Sequence, residues 1–90
     1  MEVERRIFDR CGDILRQNRL YTRVSVMVLY IMAAYRMSYW AALAAWADYE
    51  YGGSWTPERW HSYICYLWLK ERIDGRPEQV FDAWAKEAHG

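Results

Sequence analysis

Between Thr22 and Tyr51 the chain contains neither glycine nor proline. Thirty residues without a breaker, many of them apolar, leave few choices of secondary structure. The run VSVMVLYIMAAY, Val24 to Tyr35, opens with β-branched residues, and a strand from Val24 to Ile31 competes with a helix there. Its continuation into MAAYRMSYWAALAAWADYEY favours helix. Ser38 is the best capping residue in the region, so the spacing predicts two helices, about 22–36 and 39–51. One helix of about 45 Å is the alternative. Gly52-Gly53 ends the run in both cases.

The flanking segments read as helices too. Val3, Ile7, Phe8, Cys11, Ile14 and Leu15 share one arc at 100° per residue, predicting a helix over about 3–17 that frays toward Leu20. Gly12 weakens it slightly. Thr56, Pro57 and Glu58 form an N-cap, a first-turn proline and a dipole-compensating acid. Trp55 and Trp60 flank them at hydrophobic-staple spacing. Asp74-Gly75 ends this fourth helix, and Pro77 opens a fifth with Val80, Phe81, Trp84 and Ala88 in a stripe. The fold class is therefore all-α, a small compact bundle of four to five helices, with residues 1–90 as a single helical domain.

Six Trp, eight Tyr and two Phe in 90 residues give more ring area than one small core is expected to hide. The excess concentrates in the fourth helix, where Tyr63, Ile64, Cys65, Tyr66, Leu67, Trp68 and Leu69 circle the axis. A helix apolar all round is either central to the bundle or touches an external partner. In the third helix, Ala41, Ala42 and Ala45 offer a flat side on which fourth-helix rings are expected to lie. Trp55, Trp60, Tyr63, Tyr66 and Trp68 are the candidate partner-binding residues, because rigid rings bury much area for little lost entropy. Trp68→Ala or Tyr66→Ala is expected to abolish partner capture without unfolding the chain.

Charge adds a second candidate. Twelve basic and twelve acidic side chains cancel overall, and ten of the twelve cations are Arg. Residues 1–36 carry seven Arg against four acids, a net of +3, and residues 37–90 carry a net of −3. If the first helix ran on to Arg23, then Arg5, Arg16, Arg19 and Arg23 would form a cationic ridge about 27 Å long. A helical DNA-binding protein using this ridge is the alternative function, weakened by neutral overall charge and by Glu2, Asp9 and Asp13 beside it. Arg16, Arg19 and Arg23 join the candidate partner-binding residues. Arg19 and Arg23 lack a local acid and are the most available.

Chemistry is sparse. Glu58 and His61 have E-x-x-H spacing, but no second copy of the motif accompanies them. His61 and Cys65, one turn apart, would need Cys11 and His89 to complete a tetrahedral metal site. As a nucleophile pair they lack an evident orienting group. Asp48 and Glu50 do not face each other on a helix, and Gly52-Gly53 is not followed by a phosphate-loop signature. No cofactor, no metal and no catalytic residue is expected. MEVERRIFDR carries no apolar leader segment, and Arg36 and tyrosines interrupt the only candidate span, Val24 to Trp46. The expectation is a cytoplasmic, non-membrane chain with two buried thiols. Its expected role is a non-catalytic protein-protein interaction module, a small stoichiometric inhibitor or adaptor of the kind phages and plasmids use against host complexes. Self-association fits the same rings.

Overall fold

The computed structural model describes residues 2–90. It is all-α: α1 (Glu2–Gln17), α2 (Arg23–Tyr35), α3 (Tyr39–Tyr49), α4 (Pro57–Glu71) and α5 (Pro77–His89), with a 3₁₀ turn at Glu50–Gly53 after α3. No strand forms among the described residues. The molecule measures 32 × 30 × 18 Å.

The helix starts follow the capping residues. Thr22 accepts the Ser25 backbone N–H, Ser38 that of Ala41 and Thr56 that of Arg59. Ser38 thus divides the breaker-free run into two helices. The ring centroids of Trp55 and Trp60 lie 4.6 Å apart across the α4 cap, as staple spacing requires.

The helix ends are less conventional. α1, α2 and α4 are followed by arginines in the left-handed conformation: Arg19 (φ 62°), Arg36 (φ 55°) and Arg72 (φ 55°). Glycine is the usual residue there, because a β-carbon costs roughly 1–2 kcal/mol in this region. Arginine instead places a cation near the negative end of each helix. The Arg72 N–H donates to the carbonyls of Leu69 and Trp68, closing α4 three residues before the expected Asp74-Gly75 stop.

α2 packs against α1, α3 and α5, whereas α4 packs against α3 and α5. α5 touches all four other helices, so α4 is not the central helix. Leu15, Leu20, Val28, Leu29, Leu43, Trp46, Ile64 and Phe81 are fully enclosed. Gly12 is buried, and an added Cβ would meet Arg16 at 3.3 Å and the Tyr21 ring at 3.5 Å, so this glycine permits a close approach.

The expected alanine platform does not receive the α4 rings. Ala41 and Ala45 face outward, Ala42 alone of the three is buried, and α4 packs its rings on the bulky side of α3. Trp60 meets Trp46 edge-to-face at 5.4 Å, and His61 meets Tyr39 at 5.6 Å. Ring-to-ring contact buries more area than ring on alanine, and that difference selects the face. No described helix is long and apolar enough to cross a membrane. Both cysteines are free, with Cys11 buried and Cys65 half-buried rather than hidden.

Candidate functional site

The structure divides the candidate residues among three places. Trp55, Trp60, Tyr63 and Tyr66 form a continuous series along α4, linked by centroid distances of 4.6, 6.2 and 6.4 Å. With Trp46, Glu50 and Arg23 the first three line a groove of about 160 Å³. Tyr66 is exposed, Trp55 and Tyr63 are half-buried, and Trp60 is core at 7% exposure. Trp68 lies elsewhere, at 5% exposure, packed on Phe81 and Trp84 and donating its indole N–H to the Gly75 carbonyl at 2.9 Å. Trp60 and Trp68 are therefore packed in the core, and Trp68→Ala is expected to cost stability rather than spare the fold. The indole N–H groups of Trp46 and Trp60 are buried without a hydrogen-bond acceptor. Each such donor costs about 1–3 kcal/mol, which the surrounding ring contacts must offset.

The arginines do not form a ridge. α1 stops at Gln17, Leu20 N–H bonds back to the Leu15 carbonyl at 2.9 Å, and Arg23 begins a different helix. Arg16 pairs with Asp13 at 3.3 Å, its guanidinium 4.0 Å from the Tyr21 ring centre. Arg23, expected to be free, pairs with Glu50 at 2.9 Å and sits 5.6 Å from the centre of the Trp46 ring. That partner lies 27 positions along the chain, beyond the reach of any local-spacing argument. Only Arg19 of the three is exposed without an ion-pair partner among the described residues.

The surface that sequence reasoning missed lies on α1 and α2. Val24, Val28, Leu29 and Met32 of α2 turn inward and are buried. Met27, Tyr30, Ile31 and Ala34, spaced i, i+3, i+4 and i+7, form a half-buried outward stripe. α1 extends it: Phe8 meets Tyr30 edge-to-face at 5.5 Å, and Tyr30 meets Tyr35 at 6.1 Å. Tyr35 is 58% exposed and donates its hydroxyl to Glu4 at 3.4 Å. Burial, followed by its hydrogen bond with Tyr35, pushes the Tyr30 phenol up from its ordinary range, so it stays neutral. Two depressions, about 360 and 320 Å³, flank Phe8 on either side. The signal was present in the sequence: α2 carries no charge between Arg23 and Arg36. A helix without a polar side in so thin a molecule must show an apolar face to the outside.

No group of three or more His, Cys, Asp or Glu among the described residues is placed to hold a metal ion. Glu58 is exposed, while His61 turns toward Tyr39 and Cys65, so the E-x-x-H spacing assembles nothing. No protein-family model matches the chain, and no curated protein or solved structure matches it either.

Proposed function

We propose that this chain is a non-catalytic module that binds another protein, acting as a stoichiometric inhibitor or adaptor, and that it docks its partner on the α1–α2 face. One observation carries this reading. The outward side of α2 is apolar, uncharged and half-exposed, and the exposed Phe8 and Tyr35 widen it. Exposed contiguous apolar area rimmed by polar residues marks interaction surfaces. The cations here are Arg5 and Arg23, which line the two depressions beside Phe8, and residues 1–36 have a net charge of +3. Glu4 is already engaged by Tyr35. The partner that fits is an apolar helix or ridge flanked by acidic side chains, which complementary charge would steer into register.

The test is affinity capture from the native host by the intact protein and by a Phe8→Arg/Tyr35→Arg variant. Loss of the captured partner with an unchanged helical circular-dichroism spectrum is expected. Retention of the partner by the variant, or its loss with Trp55→Ala alone, would move the site off this face. Light-scattering mass at two concentrations separates a monomer awaiting a partner from a chain that covers the face with a second copy.

A further inference from the structure

At the α3–α4 contact a thiol, an imidazole and a phenol form one hydrogen-bonded row. Cys65 Sγ lies 3.4 Å from His61 Nε2, and His61 Nδ1 lies 2.8 Å from Tyr39 Oη. One helical turn on α4 sets the first pair, and the start of α3 supplies the phenol. Tyr39 is buried, whereas His61 and Cys65 are half-buried at the surface. Trp40 stacks obliquely against the imidazole, with centroids 4.7 Å apart. The orienting group that the sequence did not reveal is thus Tyr39, 22 residues from His61.

With its proton on Nδ1, the imidazole can donate to the phenol oxygen in both of its charge states. Burial pushes the Tyr39 hydroxyl above its ordinary range, so it remains O–H. When Nδ1–H donates to Oη, the Nε2 lone pair faces the thiol, which donates S–H to it. When the sulfur loses its proton, the imidazolium donates Nε2–H to sulfur and keeps Nδ1–H on Oη. No ring movement is needed. This is the relation of nucleophile, base and orienting group that general-base activation requires. Burial and the neighbouring Glu78 carboxylate push the Cys65 thiol up, so the resting group is S–H and deprotonation accompanies attack.

We propose that Cys65 is a covalent-modification site for small, uncharged carbon electrophiles, with His61 accepting the thiol proton and Tyr39 as the positioning residue. With iodoacetamide, the Sγ–C bond forms as the C–I bond breaks. Iodide leaves with the bonding pair, and the proton passes to Nε2. The preference for uncharged reagents follows from Glu78, whose charge opposes an incoming anion as it opposes the thiolate. Cys11 is a built-in control, being fully enclosed, with burial pushing its thiol up to about 12.

The test treats the intact folded protein with iodoacetamide or iodoacetate between pH 6 and 10 and measures each cysteine's rate by peptide mass spectrometry. Cys65 is expected to react while Cys11 stays unmodified, with iodoacetamide favoured over iodoacetate by more than a free thiol favours it. The Cys65 rate should level off below the pH at which an unassisted thiol ionises. His61→Gln should slow it about 10-fold and restore the steep rise of an unassisted thiol. Tyr39→Phe, which removes the contact that holds the ring, should slow the assisted reaction without abolishing it. A wild-type rate rising tenfold per pH unit throughout, or an unchanged rate in a folded His61→Gln protein, would overturn the proposal. The wild-type profile alone decides if the variants do not fold.

Discussion

Along α3, α4 and α5 five large rings turn inward and touch one another, leaving Trp40, Tyr49 and Tyr66 exposed; along α1 and α2 no ring is fully buried. Tyr39, Trp46, Trp60, Trp68 and Phe81 are buried and joined through edge-to-face and tilted contacts, whereas Phe8, Tyr21 and Tyr35 are exposed. The division follows the polar handle as much as the helix. Three of six Trp are buried, against one of eight Tyr. A phenol can lay its ring on apolar neighbours and leave its hydroxyl in water, so it suits a half-covered surface. An indole offers more area and one donor, and gains most from full enclosure. The same composition thus supplies a core on one side and an open face on the other.

The strongest way to break this comparison is inside the ring cluster. Trp46 is 1% exposed and touches Trp60. Trp46→Ala removes its area and leaves a cavity, with an expected loss of about 3–5 kcal/mol. Small domains have about 5–15 kcal/mol in total, so the urea midpoint should fall by about a fifth or more. Trp68→Ala belongs in the same range. A loss below about 1 kcal/mol for Trp46→Ala would mean that the cluster does not hold the fold together.

Sequence patterns go far toward this fold and only partway to its surfaces. The caps at Ser38 and Thr56, the Trp55–Trp60 staple and the Ile7, Cys11, Ile14 and Leu15 part of the α1 arc were legible because each depends on neighbours within about four residues. Val3 and Phe8, expected in the same arc, are exposed. The left-handed arginines were not legible, since a C-terminal stop signalled by Gly or Asn has no counterpart in Arg19 or Arg72. Missing the first of these kept the arginine ridge alive. The Arg23–Glu50 pair and the Tyr39–His61 bond span 27 and 22 residues, so no periodicity could show them. The place of α4 in the bundle had a different cause. α2 and α4 are both apolar around much of their circumference, and only the packing shows that α2 has three helix neighbours and α4 two.

α1 joins the two regions, with Cys11 on its core side and Phe8 on its open side, and pH can test the core side alone. Burial raises the folded thiol from 9.0 to about 12. The folded state therefore holds its proton where the unfolded chain has released it. Ionisation favours unfolding, so this group's contribution is complete below pH 9 and is lost as pH rises toward 12. The slope is at most about 1.4 kcal/mol per pH unit. Tyr39, pushed up by burial as well, adds to the loss at the alkaline end. Cys11→Ala should lower stability at neutral pH through its small cavity yet flatten the fall above pH 9, as read by urea midpoints across pH 7–11. An equally steep fall in the variant would place the enclosed thiol elsewhere.

The smallest effect is expected on the open face, and its smallness is what gives it meaning. Tyr35→Ala removes a ring that touches Tyr30 at its edge and a hydroxyl 3.4 Å from Glu4, both in contact with water. Substitutions at such positions change stability by about 0.5 kcal/mol or less, so the urea midpoint should hardly move. A cost above about 2 kcal/mol would show Tyr35 bracing α1 against α2, and the face would then be explained by folding alone. A near-zero cost leaves a large ring held out toward water with no structural return, and binding energy is the remaining term that could repay its exposure.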